Sequence, residues 1–408
     1  MKSPRVLVVG GGPAGASVAF ALARRGVEVL VVDRARFPRP KPCAEYLSPE
    51  ASRILADMGA LDAIEATGAA ALAGIRVRAP NGFTIAGDFV AKHGFRGFRD
   101  RGLSVRREVL DAILLDRARA AGAHVLEGVR VTDVVREGER TVGVRTLVGD
   151  AGGELRAPIV VAADGLRSVI ARRLGLARSH RWPRRLALVT HYRDVLDVGE
   201  HGEMHVERDG YVGIADVGNG LTTVALVVPA GRSREMSGDR AAFVDRWLAA
   251  HRHLAPRFAG ATRASPVVAT GPFASHAKRA WAPGVALVGD AADFFDPFTG
   301  EGIYAALRGG ELLAEHIAQA LEQSDSKAQD ACLAAYDAAR RREFGGKWLV
   351  ERVIGAVVGA APLINRAASR LSRRKDLADL LIGVTGDFVP AREVVRLGYV
   401  WSVFGWTP

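Results

Sequence analysis

The chain has 408 residues, 49% hydrophobic and 25% charged, the balance of a folded protein with room for two or three domains. Two cysteines, Cys43 and Cys332, exclude a disulfide framework, and neither has a partner at metal-ligand spacing. A cytoplasmic protein without a metal site is expected. The net charge of +11 is spread along the chain with no aromatic-rich nucleic-acid motif, so it reads as a solvated basic surface and no nucleic-acid partner is expected.

Arg5-Val6-Leu7-Val8-Val9 reads as a buried parallel strand that runs into Gly10-Gly11-Gly12-Pro13-Ala14-Gly15. Gly10 permits a tight turn and Gly12 admits a pyrophosphate against the backbone. Gly15 lets the helix predicted over residues 16–25 lie close to the strand, with its positive end facing the phosphates. A second strand over residues 27–32 delivers Asp33, followed by Arg34, about twenty residues beyond the glycines, where a carboxylate accepts hydrogens from a ribose diol. Strand, helix, strand and acid together form a dinucleotide-binding unit. The uncharged stretch 6–23 is broken by these glycines and Pro13 and belongs to that unit, not to a membrane span, and no signal peptide precedes it.

Residues 37–42 carry prolines at 38, 40 and 42 and form an extended loop leading to Cys43-Ala44-Glu45-Tyr46. Ser48-Pro49-Glu50 marks the start of a helix ending near Gly59. Residues 73–98, with the turn Pro80-Asn81-Gly82, predict a hairpin outside the nucleotide fold. Apolar positions 109, 110, 113, 114 and 118 mark a helix ending before Gly122, and a strand at 124–126 follows. Residues 129–155, Val131 among them, alternate as strands, and the buried strand 159–163 stops at Asp164-Gly165. Residues 185–230 predict an antiparallel sheet. Pro283-Gly284-Val285-Ala286-Leu287-Val288-Gly289-Asp290 resumes the nucleotide fold, ahead of a long helix over 302–321.

The fold class is therefore α/β, a Rossmann-like domain over residues 1–72, 99–176 and 275–345 interleaved with an antiparallel-sheet substrate domain over 73–98 and 177–274. Residues 346–408 form a helical C-terminal cover. The apolar run 353–365, followed by Arg366, Arg370, Arg373, Arg374 and Lys375, packs as that cover or touches a membrane surface.

Over about residues 4–345 the chain resembles the flavoprotein superfamily of the p-hydroxybenzoate hydroxylase-like monooxygenases, flavin-dependent halogenases and geranylgeranyl reductases. The likeness is carried by the glycine loop, Arg107-Glu108-Val109-Leu110-Asp111, Asp164-Gly165-Leu166-Arg167-Ser168, and Gly289-Asp290-Ala291-Ala292 with Pro297-Phe298-Thr299-Gly300-Glu301-Gly302-Ile303. It implies bound FAD and transient NADH or NADPH. Gly10, Gly12, Pro13, Ala14, Gly15, Asp33, Arg34, Cys43, Ala44, Val131, Asp164, Gly165, Gly289, Pro297, Gly302 and Ile303 then line the cofactor. Asp290 holds a ribityl hydroxyl and Arg107 lies near the phosphate and ribityl region. Gly300 and Gly302 bring backbone to the flavin edge, where the following helix points its positive end.

Lys41-Pro42-Cys43-Ala44-Glu45-Tyr46-Leu47-Ser48 and Thr299-Gly300-Glu301-Gly302-Ile303-Tyr304 are most similar to the geranylgeranyl reductase branch, which also contains natural-product hydroxylases. The reductases usually have glycine at the position of Ala44 and a Tyr-x-Trp-x-Phe-Pro element where this chain reads Tyr211-Val212-Gly213-Ile214-Ala215-Asp216. No Trp-x-Trp pair of the halogenase type is present. Candidate catalytic residues are Cys43, as a redox-active thiol or merely a small residue beside the flavin, Glu45 and Tyr211, with His191 a further substrate contact. The first expectation is a monooxygenase that uses NAD(P)H and dioxygen to hydroxylate or epoxidise an apolar aromatic, polyketide-like or isoprenoid molecule. Its rival is a reductase of carbon–carbon double bonds in an isoprenoid or lipid-like substrate, and a weaker alternative is an electron-transfer protein without a substrate of its own.

Overall fold

The computed structural model describes residues 4–405 apart from positions 181 and 183. Val6–Val9, Val29–Asp33, Ile159–Ala162, His124–Glu127 and Val285–Leu287 form one parallel sheet, closed at one edge by the antiparallel Trp281–Ala282. Val6, Leu7, Val31 and Val160 have no exposed surface, as strands covered on both faces require. Burying each such side chain stabilises the fold by about 1.5–3 kcal/mol.

The first helix runs Pro13–Ala23 and so starts three residues ahead of the expected position. Pro13 lies at its first turn, where a missing N–H leaves no bond unmade and the ring presets φ. The helix Gly302–Glu322 lies across it, and Gly310 makes the crossing close. Ser17 Oγ donates to Leu307 O at 2.8 Å in that contact.

The second large sheet has eight strands. Its order is Thr262–Arg263, Arg185–Arg193, Thr222–Pro229, Gly210–Asp216, His201–Glu207, Gly74–Arg78 and Thr84–Asp88, with Val268–Thr270 also pairing Arg185–Arg193. All pairs are antiparallel except His201–Glu207 beside Gly74–Arg78. The predicted hairpin 73–98 forms, then joins a sheet whose other strands begin about a hundred residues later. A long connection leaves strand direction unconstrained, which allows this single parallel pair.

Alternation sorts the sheet into two faces. Leu188, Val212, Val224 and Leu226 pack with Phe243, Val244 and Trp247 of the helix Arg240–Ala250. Ala187, Val189, Tyr211 and Val227 face the C-terminal helices. The helix Ser326–Val358 changes packing partner along its length: Leu333, Tyr336 and Phe344 belong to the core around the parallel sheet, while Val350 and Val358 belong to the eight-stranded sheet's core. It turns by 108° into Ala361–Leu371, and Lys375–Thr385 and Leu397–Phe404 complete the cover. Among the described residues no single helix is long and apolar enough to cross a membrane.

Gly310 tests the helix crossing. A Cβ there would stand 2.6 Å from Ser17 Cβ and 3.1 Å from Ala14 O. Gly310→Ala is expected to cost about 1–3 kcal/mol through overpacking, read as a lower melting temperature.

Candidate active site

The glycine turn is held by backbone contacts that leave no room for side chains. A Cβ at Gly15 would lie 1.8 Å from Gly10 O, and one at Gly10 would lie 2.3 Å from Ala163 O. Gly10 has φ of +108°. Asp33 braces the turn: its Oδ2 accepts from Gly11 N and its Oδ1 from Ala35 N, both at 2.8 Å. Val129 N donates to Asp33 O, and buried Val131 follows on the strand Arg130–Glu137. Arg34 is exposed.

Above the turn is a cationic group of which sequence reasoning named Arg107 but missed Arg39 and Lys41. Gly12 faces Arg39, whose Nη2 is 3.7 Å from the glycine's would-be Cβ. Arg39 Nη1 lies 3.1 Å from Asp111 Oδ2, and the buried Asp111 also accepts two hydrogen bonds from Arg107 at 2.8 and 2.7 Å. Lys41 Nζ approaches Asp290 Oδ2 at 3.9 Å. Burial, then the nearby Arg107, lowers the Lys41 pKa, with Asp290 opposing. The signal was present as Arg39 and Lys41 between the three prolines, but only folding carries that loop back over the glycines. A helix N-terminus facing three cations is chemically suited to a diphosphate.

The loop then enters the site. Cys43 Sγ accepts from Glu45 N at 3.4 Å; burial alone would lower the pKa of the neighbouring Arg107, but Asp111, then Cys43, raise it. Glu45 is buried with φ of +63°. Its Oε1 accepts from Arg107 N at 2.9 Å, and its Oε2 meets His191 Nε2 at 2.8 Å. His191 Nδ1 lies 2.9 Å from Ser265 Oγ. Thus Glu45 and His191, singled out separately in the sequence, form one joint between the loop and the large sheet.

Asp164 Oδ2 accepts from Val169 N at 2.6 Å, while Oδ1 is buried with no partner among the described residues. Burial raises its pKa, opposed by Ser168 and the Val169 amide. Gly165 follows with φ of +78°. Gly289, at φ +61°, packs against Ala14, and Gly300, at φ +74°, packs so closely on Tyr46 that a Cβ would be 2.7 Å from its ring. Pro297 opens the short turn Pro297–Thr299, capped by Asp296, and Gly302 and Ile303 begin the long helix.

Tyr211 is fully engaged. Its hydroxyl donates to Asp296 Oδ1 at 2.7 Å, Arg185 Nη1 donates to Asp296 Oδ2 at 2.5 Å, and Phe298 packs edge-on against the ring. Burial, then Asp296, raises its pKa well above the ordinary phenol value. Lys347 pairs with buried Asp387. Burial alone would lower the Lys347 pKa, but Asp387 and Glu301 override it and keep the amine charged. Burial, then Asp387, pushes Glu301 up to about 8; burial, then Glu301, pushes Glu351 up to about 8. Tyr46 OH is buried beside this group and has no partner among the described residues. Ala44, Leu166, Phe294 and Phe298 join the apolar core shared by the sheet and the C-terminal helices, which puts apolar side chains beside the Thr299–Glu301 turn. No three His, Cys, Asp or Glu side chains among the described residues gather as a metal site.

This fold and site define an FAD-dependent oxidoreductase. A family model described as FAD binding domain matches residues 4–348, and the chain belongs to that family. The residues fit the group: glycine contacts leave backbone bare, Arg39 stands over Gly12, and the buried Asp164 Oδ1 has no partner among the described residues. The chain is 30% identical over 401 residues to digeranylgeranylglycerophospholipid reductase 2 of Methanopyrus kandleri, covering 96% of this chain and 94% of that protein. It is 31% identical over 328 residues to menaquinone reductase of Mycobacterium tuberculosis, covering 77% and 76%. Two solved structures share the fold: the flavin-dependent brominase Bmp2, with TM-score 0.82, 22% identity and coverage of 98% and 97%, and a geranylgeranyl bacteriochlorophyll reductase-like protein of Thermoplasma acidophilum, with TM-score 0.73, 22% identity and coverage of 99% and 97%.

Glu351 gives a pH test. A carboxyl raised in the folded state binds more protons folded than unfolded between about pH 4.5 and pH 8, so its contribution to stability falls as pH rises through that window. Glu351→Gln is expected to flatten the decline and stabilise the protein at pH 8 relative to pH 5 by more than about 1 kcal/mol, measured by denaturant unfolding at both pH values.

Proposed function

We propose that the protein saturates carbon–carbon double bonds in the isoprenoid chain of a lipid, drawing electrons from NADH or NADPH. The observation that carries this reading is the 30% identity to a digeranylgeranylglycerophospholipid reductase over almost the whole of both chains. The likeness to a menaquinone reductase supports it, since that too is a named reductase of a lipid-soluble substrate. The site suits such a substrate: an alkene chain needs a dry apolar wall, one hydride and one proton.

When bound, FAD supplies the hydride chemistry. Arg39, Lys41 and the amides after Gly12 would hold its diphosphate, and Asp33, beside Val131, would accept from the ribose, with Arg34 at the rim. Asp290 would take a ribityl hydroxyl. Gly300 and Gly302 would let the backbone approach the flavin edge. The positive end of the helix Gly302–Glu322 favours negative charge there. Cys43 holds the proton for the second carbon, with Arg107 supporting negative charge on sulfur once it leaves. Glu45 fixes the loop through Arg107 N and His191 and keeps Cys43 in place. Tyr211 shapes the apolar wall, its hydroxyl being held by Asp296.

A second reading, oxygenation of an apolar substrate with dioxygen, is favoured by the absence of the reductases' Tyr-x-Trp-x-Phe-Pro element at Tyr211–Asp216. Product mass separates the two. Purified holoprotein given NAD(P)H and a geranylgeranyl lipid is expected to add two hydrogens per bond, whereas a gain of one oxygen would establish the second reading. In the same assay Cys43→Ala should lower kcat by about a hundredfold while FAD content and flavin reduction by NAD(P)H stay unchanged.

A further inference from the structure

The helix Leu397–Phe404 buries Tyr399 and Val403 against the C-terminal cover, and Tyr399 OH donates to Leu377 O at 3.0 Å. Its opposite stripe points outward. Leu397 is 87% exposed and Trp401 69%, with Val400 between them, and nothing among the described residues covers them. Spacing of i, i+3, i+4 places all three on one face. Single exposed apolar residues are ordinary, but an aligned stripe ending in tryptophan is not.

Beside the stripe lies a groove of about 660 Å³ lined by Arg366, Arg370, Arg373, Arg374, Asn365 and Ser369, with Ser402 of the last helix on its wall. Arg366 and Arg370 donate to the carbonyls of Phe404 and Gly405, which fixes the helix with its apolar stripe turned out. Arg374 pairs with Asp376 and Arg396 with Glu393, so some of the charge is compensated. Arg373 and Arg374 remain exposed at the rim, and Leu363, one turn before Arg366, adds apolar surface.

We propose that this face docks on an anionic phospholipid surface, the stripe entering the acyl boundary and the arginines taking the phosphate layer. An amphipathic helix with tryptophan at one end and guanidinium groups alongside matches that boundary on both counts. Charge complementarity decides against a second copy of this chain as occupant. Apposing two such faces would bring two arginine-lined grooves together, and like charges across an interface are unfavourable. The inference does not rest on which reaction the site performs, and its failure would leave the proposed reduction standing.

The test is flotation of the FAD-loaded protein with vesicles of phosphatidylcholine alone and with added phosphatidylglycerol. Binding to the anionic vesicles is expected to exceed binding to neutral ones by at least about tenfold and to weaken with salt. Trp401→Asp, and separately Arg373→Glu with Arg374→Glu, should each reduce it by about tenfold or more. Exposure of all three positions predicts unchanged flavin spectra and melting temperatures, which verify that the variants are folded. Equal binding to both vesicle types, no binding to either, variants that bind like the parent, or a dimer that Trp401→Asp splits into monomers would overturn the proposal.

Discussion

Backbone lies against backbone at Gly10, Gly15 and Ala163, and the rest of the molecule is arranged around that contact. Because Cβ atoms would overlap carbonyl oxygens there, the first helix, the first strand and the strand Ile159–Ala162 meet at a distance only glycine permits. The same closeness recurs at Gly289 against Ala14 and Gly310 against Ser17, which brings the helix Gly302–Glu322 over the turn. One end of the parallel sheet therefore presents two helix N-termini, and the loop carrying Arg39, Lys41 and Cys43 folds across the crevice between them. A dinucleotide cofactor is the ligand this end of the sheet can hold.

Buried charges are arranged along that crevice. Asp111 holds Arg107 and Arg39, Asp296 holds Arg185 and Tyr211, and Asp387 holds Lys347. Buried pairs of this kind are weak devices for stability but strict ones for geometry, since either partner alone would be left charged in hydrocarbon. Glu301 and Glu351, with pKa values near 8, oppose folding above neutrality. Their retention at the start of the helix Gly302–Glu322 and on the helix packed beside it suits a site organised for proton and hydride chemistry.

The sequence made the nucleotide unit legible because its physics is local. A β-branched run, positive-φ glycines and an acid at the next strand end lie within about thirty residues, and hydrophobic periodicity located the helix Arg107–Ala120 and the hairpin Gly74–Asp88. Boundaries slipped where caps decide: the helix after Ser48 begins at Ala51, whose N–H bonds Ser48 Oγ, and the first helix begins at Pro13. Tertiary partners were not legible. Glu45 and His191 are 146 positions apart and meet only because the sheet's register turns His191 toward the loop. Lys347 and Asp387 come from a helix and a later turn with no shared motif, and the hydroxyl of Tyr211 found Asp296 85 positions away. The parallel pairing of His201–Glu207 with Gly74–Arg78 is likewise a product of assembly, not of any local pattern.

The reduction account is tested most directly without oxygen. Flavin in the holoprotein is reduced anaerobically, mixed with a geranylgeranyl phospholipid, and followed by visible absorbance. The account predicts that the flavin reoxidises only when the unsaturated lipid is present, with one double bond lost per flavin, and that the saturated lipid has no effect. Flavin that stays reduced with the unsaturated lipid and reoxidises only when air is admitted, with oxygen appearing in the product, would contradict it.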